Sequence, residues 1–157
     1  MKNKFYFNKS IENIYKKPSS NSEVNSQILY GEKFIIQKKI KNWVKIKTLY
    51  DNYYGFIKID KFRNKLNSTH KIFKIKSYIY RKVKNKFIKT PDCLFFSSNI
   101  SILSEEKNYF EFEKNKWIKK KDTKIINFIN KNFVKIFKQF LNTKYLLSNF
   151  DVNSVGS

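Results

Sequence analysis

The strongest constraint in this sequence is a series of short apolar–polar alternations, each too short for a helix and each closed by turn residues. The clearest is NWVKIKTL (42–49), where Trp43, Lys45 and Lys47 alternate with Val44, Ile46 and Thr48. In an extended chain that spacing sends one set to each face, so half of the segment is destined for a core. Upstream, IENIYKK (11–17) reads as a strand, followed by a polar loop that opens at Pro18. ILYGEKFIIQKKI (28–40) places Gly31 in a turn before the apolar run 34–36, and DNYYGFIKI (51–59) supplies an Asp-Asn turn, a glycine and another strand. Five short strands at this spacing, with no convincing helix between residues 11 and 62, predict a small all-β barrel.

KFRNKLNST (61–69) is a polar connector, after which the scheme repeats. HKIFKIKSYIYRKV (70–83) is strand material and KNKFIKTPDC (84–93) is expected to carry a loop through Pro91. LFFSSNISILSEE (94–106) repeats the turn-then-strand arrangement, with Ser97 and Ser98 where the first unit has Gly31. In NYFEFEKNKWIKKKD (108–122), Tyr109, Glu111 and Glu113 alternate with Phe110, Phe112 and Lys114 before a turn and Trp117-Ile118. The expected organisation is therefore a first unit over 8–62, a second over 68–122, and a different segment over 123–157.

In that last segment the period becomes helical. Ile126, Ile129, Phe133, Phe137 and Phe140 recur at three or four residues, widened by Val134, Ile136 and Leu141. Lys131, Lys135 and Lys138 take the opposite, polar face of this predicted amphipathic helix. Its apolar stripe needs a partner, either one of the barrels or structure beyond residue 157.

Composition narrows the function. Lys and Arg total 34 against 12 acids, a formal charge of +22, which favours anionic partners. Only Arg63 and Arg81 are arginines, alanine is absent, and Lys, Asn, Ile, Phe and Tyr dominate, the residue set that AT-rich codons encode. Coding bias thus explains much of the charge. Two arginines are too few for the bidentate base and phosphate contacts of a nucleic-acid reader, so no nucleic-acid partner is expected. The single Cys93 excludes an intramolecular disulfide. The start shows no signal-peptide run and no stretch approaches a transmembrane span, so the expected location is the cytoplasm.

Several short motifs carry a resemblance. Ile14-Tyr15-Lys16, Pro18-Ser19, Val24, Gln27, Leu29-Tyr30-Gly31-Glu32, Trp43-Val44-Lys45-Ile46 and Gly55-Phe56-Ile57 together resemble a bacterial SH3-like domain. Thr69-His70-Lys71-Ile72, Tyr80, Glu105-Glu106, Tyr109, Phe112 and Trp117-Ile118 are similar to the companion domain in one branch of the NlpC-type cell-wall peptidases. Phe140-Leu141-Asn142-Thr143-Lys144-Tyr145-Leu146 is similar to the segment that begins the catalytic domain of that family, although Leu147-Ser148-Asn149 depart from its usual Trp-Gly-Gly.

The resemblance implies two tandem SH3-like barrels, a C-terminal helix, and a loop beginning a truncated α+β peptidase domain. It further implies papain-like cysteine chemistry, with an Asp-Cys-Ser nucleophile and a downstream His. Neither stands in these 157 residues, and the motif is expected directly after Ser157. Cys93, before Leu94-Phe95-Phe96, reads as a buried or loop cysteine, and His70 as structural. No metal-ligand cluster, phosphate loop or Ser-His-acid arrangement occurs, and Glu105-Glu106 reads as a solvated turn, so no catalytic residue, metal or cofactor is expected.

The function implied is that of a substrate-restricting region of a murein-peptide γ-D-glutamyl-diamino-acid endopeptidase. Its partners would be murein-derived peptides and a catalytic domain on the same or a separate chain. Tyr30, Trp43, Tyr53 and Tyr54 are the candidate peptide-gripping aromatics. A stand-alone, non-catalytic cell-wall-peptide module is the alternative, and a lysine-rich nucleic-acid binder, with affinity that collapses in salt, the remote one.

Overall fold

The computed structural model describes residues 3–128 and Lys138. Strands dominate. The first half contributes β1 (Lys4–Tyr6), β2 (Ile11–Tyr15), β3 (Val24–Leu29), β4 (Lys33–Ile40), β5 (Trp43–Thr48) and β6 (Tyr54–Lys58). They form one antiparallel sheet in the order β1-β4-β5-β6-β2-β3. The alternation seen in 42–49 is real: Val44, Ile46 and Thr48 are buried while Trp43, Lys45 and Lys47 are only partly covered. Val44 and Ile46 join Phe7, Ile14, Ile28, Phe34 and Ile57 in the first core.

The second half forms two sheets. β7 (His70–Ile72) lies between β10 (Asn99–Ile100) and β14 (Thr123–Ile125). A five-stranded sheet runs β11-β12-β13-β8-β9, built from β8 (Lys76–Val83), β9 (Lys86–Phe95), β11 (Ser104–Glu106), β12 (Tyr109–Glu113) and β13 (Lys116–Lys119). Its core contains Ile72, Ile79, Leu94, Ile100, Phe112 and Ile118 together with Tyr30 from the first half.

Four expectations change. The two closed barrels are open sheets: in the first, the terminal strands β1 and β3 do not pair with each other among the described residues. The reason is visible at the β3 end, where Leu29 packs with Cys93 and Phe95 of β9 instead of leaving that edge to close. The first sheet also begins before residue 8, because β1 pairs with β4 from Lys4↔Ile35 to Tyr6↔Lys33.

The expected loop through Pro91 is instead strand β9. Proline has no amide proton for a ladder, and it survives here at a bulge, where register shifts between Tyr78↔Cys93 and Tyr80↔Lys89. The Thr90 hydroxyl bridges the gap, donating to the Ile79 carbonyl at 2.6 Å and accepting from the Asp92 amide at 3.2 Å.

Residues 123–125 are strand rather than helix, held against β7 from Thr123↔Ile72 to Ile125↔His70. Ile126–Phe128 form a 3-10 turn. Of the predicted helix and the segment to residue 157, only these first residues and Lys138 fall within the described residues.

The two halves meet through matched turns. Gly31 and Ser97 both have φ of 76°, and each turn is closed by a backbone hydrogen bond, Glu32 N to Leu29 O and Ser98 N to Phe95 O, both at 3.0 Å. Asn99 N donates to Tyr30 O at 2.9 Å, joining one turn to the other. The equivalence of Ser97-Ser98 and Gly31 seen in the sequence thus has a structural counterpart.

Candidate functional site

Residues directly opposite one another in an antiparallel pair share a face. The β5–β6 register sets Trp43 opposite Lys58, Lys45 opposite Phe56 and Lys47 opposite Tyr54, and Tyr15 of β2 stands opposite Phe56. Because Val44, Ile46 and Ile57 fill the core on the inner face, these residues line the outer one. Trp43 packs edge-on against Tyr15, with ring centroids 5.7 Å apart. Lys58 lies over the Trp43 ring at 5.9 Å and Lys47 over Tyr54 at 5.5 Å. Phe56, only 8% exposed, is covered, whereas Tyr54 is 45% exposed. The result is a surface of aromatic rings edged by ammonium groups, suited to an elongated ligand with carboxylates and apolar stretches.

Trp43 and Tyr54 therefore share one face, Tyr54 of β6 standing opposite Lys47, four residues along β5 from Trp43. Tyr53 is half-buried in the adjoining turn, where its amide donates to Thr48 Oγ1 at 2.9 Å and its carbonyl accepts from Thr48 N at 2.9 Å. Tyr30 is elsewhere. Its ring is 3% exposed, packs edge-on against Phe112 at 5.6 Å, and donates its hydroxyl to Glu113 Oε2 at 2.7 Å. Arg63 donates to the same hydroxyl at 3.2 Å and pairs with Glu113. Burial, then the bonded Glu113 carboxylate, raises the Tyr30 pKa far above that of a free phenol. Its contacts are those of a joint between the halves.

Sequence reasoning missed a buried ionic cluster at that joint. Lys138, placed by periodicity on a polar helix face, is 1% exposed and sits between Glu32 and Asp51, 2.8 Å from Asp51 Oδ2. Glu32 also accepts from the Leu29 amide at 3.1 Å. Burial pulls the Lys138 pKa down, but the two carboxylates outweigh it and the net shift is upward. Asp51 is held in turn by the Thr48 hydroxyl at 2.6 Å. The Gly31-Glu32 turn was legible; that its carboxylate meets a lysine 106 positions away was not.

Cys93 and His70 remain separate. Cys93 is fully buried beside Leu29 and Phe95, and burial pushes its thiol up to about 11, so it stays protonated at neutral pH. His70, on β7, packs on Phe110 at 5.1 Å and shares a 2.9 Å hydrogen bond with Thr69 Oγ1 through Nδ1. Glu105 and Glu106 form ion pairs with Lys120 and Lys82. Among the described residues no helix is long and apolar enough to cross a membrane.

Comparison with known proteins adds two findings. Residues 14–62 match the family of bacterial dipeptidyl-peptidase SH3 domains. The fold is similar to the crystal structure of an NlpC/P60 family protein from Bacillus cereus ATCC 10987, with a TM-score of 0.59 and 13% identity. The match covers 78% of this chain and 56% of that one, so this chain spans little more than half of its neighbour. At that identity the likeness is one of fold. No protein of curated function matches the sequence.

Proposed function

We propose that this chain is the SH3-like, substrate-shaping region of a murein-peptide cysteine peptidase, binding short cell-wall peptides rather than cutting them. The observation that carries the reading is the match of residues 14–62 to the dipeptidyl-peptidase SH3 domain. In this reading 8–62 and 68–122 are tandem SH3-like units, the second being the companion domain, and the catalytic nucleophile and base belong to a separate domain. The setting is cytoplasmic recycling of wall fragments.

The outer face of the first sheet supports the reading physically. A murein tripeptide such as L-alanyl-γ-D-glutamyl-diaminopimelate carries more carboxylates than amines. Lys45, Lys47 and Lys58 complement that charge, while Trp43 and Tyr54 supply rings for its carbon skeleton. Ligand binding is then sensitive to salt and to those two rings together.

Calorimetric titration of that tripeptide into the chain tests the proposal. Saturable binding that weakens at least tenfold in Trp43→Ala and Tyr54→Ala, with the fold intact by circular dichroism, is expected. Unaltered affinity in both variants, or no binding, refutes it. Equal binding of an unrelated oligonucleotide points to a general polyanion surface instead.

A further inference from the structure

A cleft of about 490 Å³ opens where the first sheet meets β7 and β10, and none of its lining residues belongs to the Trp43–Tyr54 face. Among the described residues its polar wall includes Glu32, Lys33, Lys71, Asn67, Ser68 and Asn99. Leu49, Leu66 and Ile126 give it an apolar side, and the rings of Tyr6 and Tyr50 border it.

Two polar groups in this wall are buried without adequate partners among the described residues. Lys71 is 5% exposed, yet among the described residues its ammonium has only a 3.5 Å contact to the Ser97 carbonyl and the Tyr50 ring at 5.2 Å. Asn99 Oδ1 is buried and accepts no hydrogen bond. An ammonium withdrawn from water on one long contact is costly, because protein groups have replaced little of its hydration. The neighbouring carboxylates do not answer it directly, since Glu32 and Asp51 are both engaged by Lys138. Among the described residues of the cleft wall and the Lys138 cluster, the carboxylates of Glu32 and Asp51 face the ammonium groups of Lys33, Lys71 and Lys138, a surplus of one positive charge.

We propose that the cleft is a binding site for a small organic carboxylate, with Lys71 as its counter-ion and Leu49, Leu66 and Ile126 receiving the carbon chain. A carboxylate on Lys71 supplies the missing acceptor and cancels the surplus charge in one step. A cation would add to that surplus, and a neutral amide would leave the ammonium uncompensated. The site does not depend on the peptide-binding reading, since it shares no residue with the outer face.

The probes are glutarate and its neutral counterpart glutaramide, titrated into the full 157-residue chain at constant ionic strength and followed by NMR of the lysine ε-methylene groups. Burial, partly offset by Glu32 and reinforced by Lys138, lowers the Lys71 pKa to about 8. Saturable glutarate binding is expected to move that titration upward and to weaken at least tenfold in Lys71→Met. Lys114→Met, which removes an exposed lysine, is expected to leave binding unchanged. No saturable binding, equal binding of glutaramide, wild-type affinity in Lys71→Met, or an unmoved Lys71 titration overturns the proposal. If Lys71→Met does not fold, the Lys71 titration of the unaltered chain with and without glutarate decides alone.

Discussion

The backbone oxygen of Asn99 lies 2.0 Å from the point that a β-carbon on Gly31 would occupy. Gly31 therefore answers two demands: a left-handed φ of 76° and a close approach of the second half's backbone. Ser97 meets only the first, and its φ of 76° is held by a serine. Gly31→Ala is expected to cost about 2–4 kcal/mol, more than the roughly 1 kcal/mol of left-handed strain alone, because the Tyr30–Asn99 joint must open. Ser97→Gly is expected to stay within about 1 kcal/mol of the parent, since relief of strain offsets added chain entropy. Guanidinium unfolding of the two variants measures the contrast.

Lys71 gives stability a signed dependence on pH. Burial lowers its folded-state pKa from 10.5 to about 8, so between those values the unfolded chain holds a proton that the folded chain has released. Stability contributed by this group accordingly rises with pH across that window. Lys71→Met is expected to remove the rise and to stabilise the protein at pH 7 by about 2–3 kcal/mol. Urea unfolding of both proteins from pH 7 to 10.5 isolates the difference from other titrating groups.

Lys138 makes the opposite case, a buried cation whose partners are in place. Lys138→Met leaves Glu32 and Asp51 buried without their counter-charge and is expected to cost about 3–5 kcal/mol at pH 7. Burial already raises the Glu32 pKa, and removing the lysine that opposes this leaves it higher still in the fold than in the unfolded chain. The deficit is therefore expected to shrink as pH falls and Glu32 protonates. Thermal unfolding at pH 4 and pH 7 checks the sign.

The four aromatics marked in the sequence divide by burial. Tyr30→Phe removes a hydroxyl that serves both Glu113 and Arg63 and is expected to cost about 1–2 kcal/mol. Tyr54→Ala, on the exposed face, is expected to change stability by under about 0.5 kcal/mol. Chemical denaturation of the pair separates the joint from the ligand surface.

Much of the first sheet could be read directly, because alternation such as Val44/Ile46 against Lys45/Lys47 reports the two faces of one strand without distant information. The Gly31 and Ser97 turns were legible for a similar local reason. The closing geometry was not, since whether β3 pairs onward or packs on Cys93 and Phe95 is decided by residues more than sixty positions away. Pro91 misled because the rule against proline in strands is a rule about ladders, and Thr90 supplies the bond that a bulge lacks. Lys71 and Lys138 were opaque for another reason. In a chain this rich in lysine, nothing local distinguishes the few ammonium groups that are buried from those in water.

In the proposed function the outer face of the first sheet is the peptide-binding surface. Its most direct measurement is an NMR titration of the labelled chain with L-alanyl-γ-D-glutamyl-diaminopimelate, following the two indole signals and the tyrosine rings. The expected result is saturable shifts of Trp43 and Tyr54, with Trp117, 6% exposed beneath Phe87, unchanged. Saturable shifts confined to other residues, or no shifts at all, would contradict it.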